Sequence, residues 1–256
     1  MCWSPSAQLL NYLSRNRGNH MKVVTNTKLI KRNAKVGQFT SIGALVILGI
    51  GLYISFKFPD KFAYSLGALL LGFFMSQVGM YYGNRWGRSP RPDELIDKGL
   101  KGLGREYTVY HYVTAASHLL VGPAGIWTLM PYHQSGKIVY EKKRWKSRGG
   151  GFMQSYLRLF GQENMGRPEI ESENEIEATK RYLTRILPEG TELPPIKSIL
   201  LFSSPKVELN IEGAPLPAIT PKDLKDFMRE KSKEEPLGEQ ILDKLLRVLP
   251  KAEHEE

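Results

Sequence analysis

The chain has 256 residues, of which 41% are apolar and 24% charged. That excludes a disordered chain, and a single cysteine (Cys2) excludes a disulfide framework or a cysteine-built zinc site. The net charge of +10 and the slightly negative mean hydropathy resemble a basic soluble protein, but both are averages over an uneven chain.

Residues 1–38 contain no Asp or Glu and carry Arg15, Arg17, Lys22, Lys28, Lys31, Arg32 and Lys35, so they read as a basic cytoplasmic arm. Met21 offers an alternative translation start, which would remove Cys2. From Phe39 to Phe56, and again from Phe62 to Gly83, no Asp, Glu, Lys or Arg occurs. At about 1.5 Å per residue, roughly 20 such residues cross a hydrocarbon core of about 30 Å. The expectation is two transmembrane helices, 39–57 and 62–83, joined by a tight turn at Lys57–Lys61. Basic residues flank the outer ends, which predicts a multi-pass inner-membrane protein with both termini cytoplasmic. Tyr81, Tyr82 and Trp86 fall where an interfacial aromatic belt belongs, and Ala68, Gly72 and Ser76 form a small-residue stripe for helix packing.

Beyond Pro92 the composition becomes that of an α/β domain, expected over 84–233 and followed by an amphipathic helix and tail over 234–256. Pro92–Leu103 reads as a helix. Strands are expected at Tyr107–Thr114, Ser117–Val121, Ile126–Met130 and Lys137–Tyr140, a meander that runs into the basic stretch Glu141–Arg148. Gly151–Phe160 is amphipathic. Glu169–Leu187 reads as a helix whose early acids and late bases suit the helix dipole and a solvated face. Ser198–Ser203 and Lys206–Ile211 read as strands. Thr220 with Pro221 reads as a helix start, and Pro236–Leu249 as the last helix. No phosphate loop, dinucleotide fingerprint or nucleophile elbow occurs.

The segment Ser117-His118-Leu119-Leu120-Val121-Gly122-Pro123-Ala124-Gly125-Ile126-Trp127, with Gln134-Ser135-Gly136-Lys137-Ile138 and Trp145, resembles the core of the nuclease-related domain (NERD) family. The resemblance covers about residues 92–230 and implies a restriction-endonuclease-like fold, here behind a transmembrane helical hairpin. It implies as framework His118, Gly122, Pro123, Gly125 and Gly136. In that family an Asp and a Glu hold Mg²⁺, and a Lys helps to position the attacking water. Carried over, those positions fall on Ser117, Met130 and Tyr132. A hydroxyl and a thioether do not replace two carboxylates as Mg²⁺ ligands. The resemblance therefore implies an inactive domain that uses no metal or other cofactor. Its role would be binding or scaffolding at the membrane. The alternative is an active Mg²⁺-dependent nuclease with a relocated site, for which Asp93, Glu94, Asp97, Glu106 and Glu141 are the nearby acids. A further alternative is a structural membrane protein that binds a protein partner.

Lys137, Lys142, Lys143, Arg144, Lys146 and Arg148 form a basic cluster around Trp145, to which Arg167 could add. Three readings fit this cluster: a nucleic-acid backbone site, a contact with anionic lipid headgroups, or a solvated hairpin edge guarded by charge.

Overall fold

The computed structural model describes residues 21–148 and 165–251. Residues 1–20, the glycine break and amphipathic stretch expected over 149–160, and the tail beyond 251 lie outside the described residues. The chain divides into a helical unit, Asn26–Glu94, and an α/β unit built from the segments on either side of it.

In the helical unit, Asn26 caps helix α1 (Thr27–Lys57), its side chain accepting from the Leu29 N–H at 2.9 Å. A short 3₁₀ turn, Pro59–Lys61, leads to α2 (Phe62–Tyr82), which ends in a π-helical turn, Gly83–Gly87. Both helical runs are long and apolar enough to cross a membrane. Small residues let the two helices touch. A Cβ on Gly37 would meet Gly83, one on Gly51 would meet Ala68, and one on Gly79 would meet Ser41, so the helices run antiparallel. The Ser65 hydroxyl adds a buried bond to the Gly51 carbonyl at 2.9 Å.

Apart from Asn33, the buried positions recur every seven residues: Ile30, Gly37, Ala44 and Gly51 on α1, and Ser65, Gly72 and Gly79 on α2. Seven is the period of a helix pair that keeps one seam in contact. Ala68 and Gly72 of the expected stripe belong to this contact. The Ser76 hydroxyl bonds back to the Phe73 carbonyl of its own helix.

The expected arm over 1–38 is not one element. Lys22–Thr25 is a strand, β1, and Thr27–Gln38 forms the first turns of α1. Val23, Val24 and Thr25 are β-branched and favour the strand; the Asn26 cap then starts the helix.

The α/β unit is therefore discontinuous in sequence. After α3 (Pro92–Leu100) come β2 (Thr108–His111), β3 (His118–Gly122), β4 (Gly125–Tyr132), β5 (Gly136–Glu141) and β6 (Arg144–Arg148). Then follow α4 (Pro168–Ile186), β7 (Ile196–Phe202), β8 (Val207–Asn210), β9 (Ala218–Ile219), α5 (Leu224–Glu234) and α6 (Glu239–Val248). The six-stranded sheet has the order β1-β2-β3-β4-β7-β9, and within it only β3 runs antiparallel to its neighbours.

The sheet is covered on both faces. Ile96, Leu100, Leu224 and Met228 pack on Val109, Leu120, Trp127 and Leu129. Leu183, Leu242 and Leu245 pack on Tyr110, Leu119, Val121 and Ile126. Because α6 supplies part of this second core, residues 234–251 belong to the α/β unit and are not a separate appendage.

The expected meander also divides. β5 leaves the large sheet and forms a second one, β6-β5-β8, in which β6 comes from the stretch read as a basic run. A third cluster, including Met130, Tyr132, Ile138, Trp145 and Phe202, joins the two sheets. Thr220 bonds Asp223 at 2.6 Å, and helix α5 begins only at Leu224, later than Thr220 and Pro221 predict.

Candidate functional site

Strand alternation explains what occupies the positions that the resemblance assigns to catalysis. On β4, Thr128, Met130 and Tyr132 share a face. Ser117 sits just before β3, half-buried, and its carbonyl accepts from the Tyr112 N–H at 2.9 Å. Met130 lies in the apolar cluster and receives the Ser198 hydroxyl on its sulfur at 3.4 Å. Ser198 also contacts the Thr128 hydroxyl at 2.5 Å. Tyr132 stacks on Phe202 and donates to Glu171 of α4 at 2.7 Å. Burial first, and then this bond to Glu171, push the Tyr132 phenol well above its ordinary range. Glu171, read from the sequence as a solvated helix acid, is instead a partner of the sheet. The corner is thus filled with apolar side chains and hydroxyls.

The framework residues hold the turns. Gly122 is paired with Gly125 across the β3–β4 turn, and a Cβ on Gly122 would run into the Tyr107 ring. Gly125 takes a φ of 101°, which glycine adopts at low cost. The Pro123 carbonyl accepts from Leu237 at 2.8 Å, tying this turn to the chain leading into α6. Gly136 opens β5 with a φ of 83°.

His118 is fully buried on β3, opposite His111 of β2, and their Nδ1 atoms lie 2.8 Å apart. His111 Nε2 lies 3.0 Å from Asp97 of α3. An ionised carboxylate only accepts, so His111 donates to it from Nε2. The two Nδ1 atoms then share one hydrogen bond, donated by His118 when His111 is neutral. His118 is therefore part of an Asp97–His111–His118 chain that ties α3 to the sheet. Sequence reading missed His111 because the pairing exists only once the β2–β3 register is set.

The acids weighed for a relocated metal site are dispersed. Asp93 and Glu94 both pair with Arg91 at 2.9 Å, Asp97 bonds His111, and Glu141 pairs with Arg148. Among the described residues, no three His, Cys, Asp or Glu side chains converge as metal ligands.

The structure brings the basic cluster together on the second sheet. Lys137 lies opposite Arg148, Val139 opposite Lys146 and Glu141 opposite Arg144. Directly opposed residues point to the same face, so Lys137, Arg144, Lys146 and Arg148 share one side, each exposed although Val139 between them is buried. Lys142 and Lys143 form the hairpin tip, both in left-handed backbone with φ of 51° and 57°. Glu208 lies opposite Lys137 on β8 and, with Glu141, is an acid of that face.

Trp145 points the other way. It is buried against Tyr140 and Ile138, so it offers no ring for base stacking. Arg167 lies at the start of α4, where its carbonyl accepts from Ile170 and Glu171.

No family model, curated protein or solved structure matches this chain.

Proposed function

We propose that this chain is a membrane-anchored, catalytically silent nuclease-like domain whose basic hairpin binds nucleic acid through its phosphates. The anchor reading draws on two helices whose large apolar side chains face outward. Leu45 is 70% exposed and Phe74 63%, which water would penalise and lipid would not. The acid-free flank of α1 supports cytoplasmic termini at an inner membrane. The order β2-β3-β4-β7 with β3 reversed, and helices on both faces, supports a restriction-endonuclease-like core. Ser117, Met130 and Tyr132 support silence, because they supply no carboxylate where the resemblance implies a metal.

One observation carries the nucleic-acid reading. The hairpin gives up stability to display charge. Lys137 opposes Arg148, a like-charge pair whose repulsion is reduced by Glu141, bonded to Arg148, and by Glu208, opposite Lys137. Lys142 and Lys143 occupy a turn that Asn-Gly would make at lower cost. A merely soluble edge needs no such sacrifice. The ribbon's cations contact phosphates, and its inward Trp145 leaves it without base readout, so binding is insensitive to sequence.

The test uses the full chain in mild detergent with labelled duplex and single-stranded DNA. Six phosphate contacts give a slope of log affinity against log salt near −5, and Lys142/Lys143/Arg144→Ala cuts it by about 3 units. No binding at low salt overturns the reading. The same mixtures with Mg²⁺ or Mn²⁺ test silence, and cleavage abolished by EDTA would restore the active-nuclease alternative.

A further inference from the structure

We infer that the helical unit holds a specific site for the phosphate of an anionic phospholipid, in a groove between the two helices at their charged end. This inference rests on the membrane reading above.

The groove has a volume of about 480 Å³ and is lined by Lys35, Gln38, Asn84 and Arg88 around a floor that includes Gly37 and Gly83. That volume is within the usual range for small-ligand sites, about 300–1,000 Å³. The floor exists because the helices touch nearly backbone to backbone. A Cβ on Gly37 would come within 2.8 Å of the Gly83 nitrogen. A side chain at Gly37 would force the helices apart at this point.

Its depth is set by the sequence. Lys35 is the last charged residue before the first uncharged run, and Asn84 is the last residue of the second. The groove therefore opens where both apolar stretches end, which is headgroup level in a bilayer. Tyr81 packs edge to face with Tyr82 and Trp86, and Tyr82 lies tilted against Trp86, over the stretch where interfacial aromatics belong.

Its charge is uncompensated. Among the described residues, neither Lys35 nor Arg88 makes an ion pair. The acids of this unit are elsewhere: Asp60 lies in the turn at the opposite end, and Asp93 and Glu94 are both engaged by Arg91. Two cations and two amide side chains thus face a groove that contains no acid. Arg offers a planar fork for two phosphate oxygens, Lys a point charge, and the amides of Gln38 and Asn84 further donors. Basic pockets between membrane helices at this level suit anionic headgroups.

The experiment has two stages on the full chain. Alkaline carbonate extraction of membranes containing it tests the reading beneath the proposal. Release into the soluble fraction overturns the anchor, and the site with it. Retention is followed by native mass spectrometry in mild detergent with phosphatidylglycerol or phosphatidylcholine added. The expected result is retained phosphatidylglycerol with at least a tenfold preference over phosphatidylcholine. Lys35→Gln with Arg88→Gln should abolish the preference, and Lys35→Arg with Arg88→Lys should restore it. Both side chains are exposed, so these changes leave folding intact. The ribbon variant Lys142→Ala with Lys143→Ala should leave the preference unchanged; its loss there would assign the effect to general charge and overturn the groove. Equal retention of both lipids, or an unchanged preference in the double Gln variant, also overturns it. Displacement by millimolar inorganic phosphate would make this a soluble-anion site and overturn the lipid assignment.

Discussion

The two units bury opposite kinds of residue. In the α/β unit the inaccessible side chains are large: Leu119, Leu120, Ile126, Leu129, Ile199 and Phe202. In the helical unit they are mostly small, among them Gly37, Ala44, Gly51, Gly72 and Gly79, while Phe39, Leu45, Phe56 and Phe74 face outward. One polypeptide follows two packing rules, which the proposed membrane anchor accounts for by giving its two parts different solvents. In water, burying apolar area drives the fold at roughly 25 cal/mol per Å². In lipid that drive between helices is absent, and close backbone approach through small residues replaces it. The slightly negative mean hydropathy of the chain is the sum of these two regimes and describes neither.

The same substitution placed in each regime should break different properties. Met130→Asp puts a carboxylate into the apolar cluster with Tyr132, Ile138 and Phe202. We expect a loss of about 3–5 kcal/mol, read as a lowered denaturant midpoint by tryptophan fluorescence. Leu45→Asp should leave that midpoint unchanged. Its cost appears on insertion, about 3 kcal/mol near a span's centre, as increased release by alkaline carbonate. If Leu45→Asp stayed fully membrane-bound and lowered the midpoint instead, the outward face of α1 would belong to a water-soluble core.

Packing between the helices gives a smaller and sharper contrast. Gly79→Leu must displace Ser41, whereas Gly49 has no heavy atom within 4 Å of an added Cβ. Overpacking at Gly79 should cost about 1–3 kcal/mol of helix-pair stability in detergent. Gly49→Leu should be neutral or gain up to about 1 kcal/mol from helix propensity. Thermal unfolding of the two variants side by side checks this. Equal effects would mean that the seven-residue seam is not the contact that holds the pair.

How much of this was legible in the sequence depended on where the partner of each segment lay. The membrane-length helices were plain because their signal, a charge-free run, is local. β3, β4 and β7 were legible as continuous apolar runs, the mark of strands covered on both faces. β1 was hidden because its only cue is four residues, and its partner β2 lies beyond the whole helical hairpin. β6 did alternate, with Trp145 and Ser147 inward between Arg144, Lys146 and Arg148, but the charges masked it and the turn lacked Asn-Gly. The small-residue stripe was read at a spacing of four, while the fully buried positions of α2 recur at seven. At the candidate site, the six cations read as one cluster do lie on one hairpin, but the inward turn of Trp145 was not foreseen. The Asp97–His111–His118 chain needed the register of two strands and the placement of a helix, none of which is local.

The hairpin tip offers the smallest effect and the most diagnostic one, because stability and binding should move in opposite directions. Lys142 and Lys143 sit at positive φ, where a non-glycine residue costs of the order of 1–2 kcal/mol in unfavourable contact with its own carbonyl. Lys142→Asn with Lys143→Gly keeps the two-residue turn and supplies the pair that tolerates this conformation. The variant should therefore be more stable by about 1 kcal/mol in denaturant titration, with the strand register unchanged. It should also bind DNA more weakly, with a salt slope shallower by about 2, since two phosphate contacts are gone. A solvated edge with no anionic partner would show the gain in stability and no binding to lose. A tip whose lysines hold the fold together would show a loss of stability instead. Only a surface that gives up folding free energy for charge produces both changes at once.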